Sequence, residues 1–146
     1  MSIKIYTDGA CSGNPGIGGY GCLVQYPDKE VKFFGAEMDT TNNRMEVLGA
    51  IVALESLKSH SQIVEVFSDS QYLIKGMNGW LTSWIRNGWR NSKREPTPNK
   101  DLWLRLLSLN NRHAITWTWV RGHSGHIENE ICDKLAKGAI NEFKTN

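Results

Sequence analysis

Two aspartates stand at corresponding places in the chain. Asp8 follows the alternating, β-branched run Ile3–Thr7, and Asp69 follows the apolar run beginning at Ile63. Each sits in a context, Asp-Gly or Ser-Asp-Ser, that a turn or a helix cap would also use. If the helical pattern between them makes the two strands parallel neighbours, both carboxylates reach the edge where open α/β sheets place ligands, outside the carboxyl ends of the strands. Glu46 is the third acid. It lies near the start of a helical pattern that is apolar almost all round, on a stripe with Gly49, Ala50 and Ala53, whose small side chains permit close packing. A carboxylate on such a face is costly unless something compensates it, and the natural compensation is a cation. Asp133 is the fourth acid, at the margin of the stripe Ile127, Ile131, Leu135, Ala136 and Ile140. Two places are open to it: the same sheet edge, or an ordinary i,i+4 ion pair with Lys137.

Four converging carboxylates repel one another, since two unit charges about 4 Å apart cost about 4 kcal/mol at an effective dielectric of about 20. Such a set needs protons or a divalent ion. Oxygen-only ligands select Mg²⁺ or Mn²⁺. Magnesium held by a few acids keeps room for phosphate oxygens, and an ion pair about 4 Å apart suits phosphodiester hydrolysis.

Other motifs narrow the field. Gly122-His123-Ser124-Gly125-His126 places two histidines in a glycine-flexible loop ahead of the last helix. The three cysteines, Cys11, Cys22 and Cys132, fall in no CxxC or Cys/His spacing, so neither a zinc site nor a disulfide framework is expected and a reducing compartment is. Residues 16–21 match GxGxxG, yet these glycines lead into a strand rather than opening a helix, and no GK[ST] follows; a nucleotide cofactor is not expected.

The elements that must position these residues follow from periodicity. Strands are expected at Ile3–Thr7, Tyr20–Tyr26, Val31–Ala36, Ile63–Phe67 and Ile115–Val120, with the second and third forming a hairpin about Pro27-Asp28-Lys29-Glu30. Helices are expected at Asn43–Ser59 with Thr41 or Asn42 as N-cap, briefly from Gln71, at Lys100–Leu109 and at Glu128–Phe143. A hairpin followed by alternating helix and strand predicts an α/β domain with a mixed sheet, antiparallel first and parallel where crossovers occur. With 146 residues, 40% apolar and 22% charged, the chain is expected to form one domain, residues 1–146, and not a disordered one. No apolar run approaches a membrane span and no signal peptide opens the chain, so a cytoplasmic protein is expected. The net charge of +2 makes no case for a nucleic-acid partner. Its distribution does: residues 86–100 carry Arg86, Arg90, Lys93, Arg94 and Lys100 against Glu95 alone, a local +4 beside Trp80, Trp84 and Trp89.

Taken in order, Tyr6-Thr7-Asp8-Gly9 through Asn14-Pro15-Gly16, Thr41-Asn42-Asn43-Arg44-Met45-Glu46, Ser68-Asp69-Ser70-Gln71-Tyr72 and the GHSGH loop through Asn129-Glu130 to Asp133 closely resemble bacterial type 1 ribonuclease H over nearly the whole chain. The resemblance implies a ribonuclease H-like α/β fold with a five-stranded mixed sheet. It further implies two-metal endonucleolytic cleavage of the RNA strand of RNA·DNA hybrids, with two Mg²⁺ ions (Mn²⁺ as substitute) in the substrate complex and 3′-hydroxyl and 5′-phosphate ends. Asp8, Glu46, Asp69 and Asp133 match the metal-binding acids, and His123 a residue assisting proton transfer or product release. Cys11, Asn14, Asn42, Asn43 and Gln71 match positions touching the hybrid near its minor groove, Thr41 one near a DNA phosphate, and Trp80 an aromatic on the DNA strand, with Arg86 and Arg90 beside it. Trp103, Trp117 and Trp119 are expected to pack, and His126 to order the loop. Ile85 and Asn87 depart from the family, where Lys or Arg is frequent, and Ile127 stands where Pro is common. A freestanding monomer with no membrane contact is expected.

Overall fold

The computed structural model describes residues 2–59, 61–122 and 126–145. The elements are β1 (Ser2–Gly13), β2 (Gly16–Gln25), β3 (Glu30–Thr40), α1 (Asn42–Glu55), β4 (Ile63–Ser68), α2 (Gln71–Lys75), a π-helical turn (Gly76–Trp80), α3 (Leu81–Arg86), α4 (Lys100–Arg112), β5 (Ala114–Trp119) and α5 (Ile127–Thr145). Among the described residues five strands form one sheet in the order β3-β2-β1-β4-β5. β1, β2 and β3 are antiparallel neighbours, whereas β1 and β4 and then β4 and β5 run parallel. This is the mixed α/β sheet expected from the sequence.

The first two strands are longer than their alternation predicts. β1 continues through the glycine-rich segment to Gly13, paired with β2 as far as Gly16, so the GxGxxG glycines belong to the strand rather than to a turn before it. Packing explains them. A Cβ on Gly21 would lie 2.4 Å from the Cys132 carbonyl oxygen of α5, so the last helix rests directly on the strand backbone. The hairpin turn forms as expected, with Tyr26 N–H donating to the Lys29 carbonyl at 2.8 Å.

α1 begins with Thr41 as N-cap, its hydroxyl accepting the Arg44 N–H at 3.2 Å. It ends at Glu55, four residues before the expected Ser59. The Ser56 hydroxyl donates back to the Ala53 carbonyl at 2.6 Å, and Leu57 N–H bonds three residues back to Leu54, so the helix tightens and stops there. α1 packs on β1, β2 and α4, and α5 covers β1, β2 and β3 from the other side. Ile5, Val24, Met45, Ile51 and Trp103 are fully buried between these layers. The crossover from β1 through α1 to β4 aligns Tyr6 with Phe67, which carries Asp8 and Asp69, two residues further on, to the same sheet edge.

Candidate active site

Asp8, Glu46 and Asp69 each offer a carboxylate oxygen within 4.8 Å of the other two. Asp8 comes from β1, Asp69 from the turn between β4 and α2, and Glu46 from the first turns of α1, three elements whose relative placement is set by the β1–β4 register. α1 can approach β1 this closely because of the small stripe beside Glu46: a Cβ on Gly49 would lie 2.4 Å from Thr7 Oγ1. Asp8 and Glu46 are both buried, and Asp69 is partly so.

Electrostatics within the trio is strained in the absence of a cation. Burial, followed by the negative charge of Asp69, pushes the Asp8 carboxyl up to about 7, although the Gly9 N–H donates to Asp8 Oδ1 at 2.9 Å and opposes the shift. Burial and the charges of Asp8 and Asp69 hold the Glu46 carboxyl well above the usual carboxylate range. Glu46 Oε2 is buried with no hydrogen-bond partner, an orphaned acceptor that is expensive to desolvate. An all-oxygen set with one oxygen left over fits a hard divalent cation.

Asp133 lines the same cavity, about 450 Å³ in volume, together with Asn42, Asn43, Gln71 and Tyr72. Its carboxylate is not part of the close trio. Asp133 Oδ2 instead pairs with Lys137 Nζ at 3.0 Å, so both placements open to it in the sequence are realised at once. His123 lies outside the described residues. His126 is exposed, and its main-chain carbonyl accepts the Glu130 N–H at 3.1 Å at the start of α5.

The other predicted residues divide by location. Asn42, Asn43 and Gln71 are exposed at the cavity, and Asn14 Oδ1 accepts the Asn42 N–H at 3.1 Å, tying the β1–β2 turn to α1. Cys11 Sγ donates to the Thr40 carbonyl at 3.4 Å, and Thr41 serves as the helix cap already described. Trp80 is 42% exposed, and Arg86 and Arg90 are exposed on the segment that follows it. Arg90 Nη1 donates to the Arg94 carbonyl at 2.8 Å, giving the segment internal order. Trp103 and Trp117 pack as expected, but Trp119 does not: it is 43% exposed, and its Nε1–H donates to the Asp69 carbonyl at 3.1 Å.

A polar chain that sequence reading missed joins the site to the aromatic segment. Arg44 forks onto Asp101 at 2.8 and 3.1 Å and also reaches Asn99 Oδ1 at 3.3 Å. Asn99 Nδ2 donates to the Tyr72 hydroxyl at 3.2 Å, where Trp103 Nε1–H also donates, at 3.1 Å. The Tyr72 ring in turn meets Trp80 edge-on. The available signal was Arg44 inside the Asn-Asn-Arg-Met-Glu motif, the one basic residue of a helix rich in apolar residues, which had to find a partner. A separate recess of about 540 Å³, lined by Ile3, Tyr26, Leu57 and Lys58, lies at the opposite end of the parallel strands, away from the carboxylates.

Comparison with known proteins follows the same lines. The RNase H family model matches residues 1–141. A ribonuclease H of Geotalea uraniireducens (strain Rf4) is 56% identical over 144 residues, covering 99% of this chain and 97% of the relative. One from Legionella pneumophila (strain Lens) is 52% identical over 143 residues, 98% of this chain and 99% of its own. Among solved structures, LC9-RNase H1, a type 1 RNase H with the type 2 active-site motif, is similar with a TM-score of 0.86 at 32% identity, over 97% of this chain and 72% of that one. LC11-RNase H1 in complex with RNA/DNA hybrid shares the fold, with a TM-score of 0.75 at 24% identity over 97% of this chain and 99% of its own.

Proposed function

Because the chain belongs to the ribonuclease H family, we propose that residues 1–146 form one catalytic domain that cuts the RNA strand of RNA·DNA hybrids internally. The products carry 3′-hydroxyl and 5′-phosphate ends. The observation that carries this reading is the Asp8, Glu46 and Asp69 trio, whose oxygens lie within 4.8 Å of one another around a buried, unpartnered Glu46 Oε2. These three acids, with Asp133 at the rim, would hold two Mg²⁺ ions, or Mn²⁺ in their place, in the substrate complex. Bound there, the ions supply Lewis-acid stabilisation of charge on the phosphate oxygens and lower the pKa of an attacking water.

The rest of the work falls to the chain itself. Asp8 and Glu46 are held at fixed depth by β1 and α1, so their oxygens need no reorganisation as charge develops on the phosphate. His123, flanked by glycine on one side, moves a proton to or from the reacting groups, a task suited to an imidazole near neutral pH. Asn14, Asn42, Asn43 and Gln71 present amides that donate to and accept from ribose 2′-hydroxyls, with Cys11 beside them in the minor groove. Thr41, Trp80, Arg86 and Arg90 engage the DNA strand through its phosphates and an aromatic face. Among the described residues no helix is long and apolar enough to cross a membrane, and the protein acts as a cytoplasmic monomer without a nucleotide cofactor.

The test is incubation with end-labelled RNA·DNA hybrid, RNA duplex and DNA duplex, each with Mg²⁺ and with chelator. Cleavage confined to the RNA of the hybrid and abolished by chelator is expected. Cleavage of DNA duplex, or cleavage in chelator, would overturn the reading.

A further inference from the structure

The β4–β5 ladder stops one residue short of Asp69. Its last backbone bond runs from Val120 N–H to the Ser68 carbonyl at 2.9 Å. The next carbonyl, that of Asp69, is taken by a side chain, with Trp119 Nε1–H donating to it at 3.1 Å. On the other flank Ser70 N–H donates to Ser68 Oγ at 3.0 Å, and Ser70 Oγ accepts the Leu73 N–H at 3.1 Å, fixing the start of α2. The main chain of Asp69 is thus pinned before, at and after the residue.

The carboxylate has its own constraint. A Cβ built on Gly122 would lie 2.7 Å from Asp69 Oδ2, closer than carbon and oxygen sit without displacement. Gly122 therefore closes its backbone onto the carboxylate, and a methyl group there would press on Asp69 Oδ2, the next nearest atoms being the same residue's Cβ and Cγ at an ordinary 3.5 Å. Packing alone does not account for Trp119 either, because the ring is 43% exposed and lines only a shallow recess with Gln71, Ile74 and Lys75. The feature common to both residues is Asp69.

Resting on the metal-site reading above, we propose that Trp119 and Gly122 are positioning residues that set the depth and rotamer of the Asp69 carboxylate for a small cation of strict geometry. Mg²⁺ demands near-octahedral ligands at short distances, whereas Ca²⁺ tolerates irregular ones. A carboxylate moved by a fraction of an ångström therefore separates the two ions, and a general loss of stability does not. Supporting contacts behind metal ligands typically carry about 10- to 100-fold in metal affinity.

The experiment titrates MgCl₂ and CaCl₂ alone, without nucleic acid, into the wild type, Trp119→Phe, Gly122→Ala and Asp69→Asn by calorimetry, with thermal melting in chelator alongside. Expected are Mg²⁺ affinities about tenfold weaker in both Gly122→Ala and Trp119→Phe, with Ca²⁺ affinity and the chelator melting temperature close to wild type. On hybrid, kcat falls and KM does not. Wild-type Mg²⁺ affinity in both Trp119→Phe and Gly122→Ala, with Asp69→Asn weakened, overturns this inference alone. So does a parallel loss of Mg²⁺ and Ca²⁺ affinity accompanied by a lowered melting temperature. Unchanged Mg²⁺ affinity in Asp69→Asn overturns the metal-site reading as well.

Discussion

In chelator, stability should fall as pH rises through the range where most proteins gain it. The Asp8 carboxyl ionises near 3.8 in the unfolded chain and at about 7 in the fold, because burial and the charge of Asp69 disfavour its anion. Between those values the folded state binds more protons than the unfolded state, so stability declines with rising pH. The contribution is fully present below about pH 4 and is lost through about pH 7. At about 1.4 kcal/mol per pH unit, the shift corresponds to about 4 kcal/mol as an upper bound. Asp8→Asn keeps the shape, removes the charge and should abolish the Asp8 share of that slope, leaving a share of the same sign from Glu46, whose carboxyl burial also holds high. Near pH 8 the mutant should be more stable than the wild type by about 2 kcal/mol, or about 4–8 °C in melting temperature for a chain of this size. The assay is melting by circular dichroism in chelator from about pH 4 to pH 8, read as the difference between the two proteins so that surface carboxylates common to both cancel. Parallel pH profiles, or a mutant less stable than wild type at pH 8, would refute the claim that the trio is frustrated by its own charge.

His123→Ala should slow turnover by about 10²- to 10⁴-fold, as for a lost proton-transfer group, while Mg²⁺ binding measured by calorimetry persists; loss of metal affinity would reassign the residue as a ligand. Replacing a short run of ribonucleotides around a cut site by deoxynucleotides should stop cleavage there, as mapped on a sequencing gel, and continued cutting would exclude 2′-hydroxyl recognition. The double variant Arg86→Ala, Arg90→Ala should raise the Michaelis constant for hybrid and flatten the salt dependence of log K by about two, and Ile85→Lys with Asn87→Arg should act in the opposite sense; binding titrations over a range of salt test both.

What the sequence made legible is the part of the site fixed by local pattern. Asp8 and Asp69 were readable as partners because each ends a strand-like run and a single helix lies between them; parallel register does the rest. Glu46 was readable because a lone acid on an apolar, small-residue stripe needs a cation, and the structure leaves Glu46 Oε2 buried and unpartnered. The length of β1 and β2 was not readable, because their glycines look like turn residues until α5 is seen lying against them. The end of α1 was missed for a different reason: Leu57 falls in step with the apolar pattern, and the bonds that close the helix, from the Ser56 hydroxyl to the Ala53 carbonyl and from Leu57 N–H three residues back to Leu54, leave no mark in that pattern. Trp119 was misread because aromatic residues at strand ends usually pack, and its role depends on a carbonyl fifty residues away in sequence, that of Asp69. The Arg44, Asn99 and Tyr72 chain is likewise long-range, and no local spacing announces it.

The most direct measurement is the rate at which Asp69→Asn cuts an RNA·DNA hybrid at saturating Mg²⁺, set beside its affinity for the same hybrid. If the carboxylates hold the ions that drive phosphodiester hydrolysis, cleavage is lost and hybrid affinity stays near that of the wild type, since the charge removed belongs to the reacting centre and not to the surface that grips the duplex. Wild-type cleavage by Asp69→Asn would contradict the account.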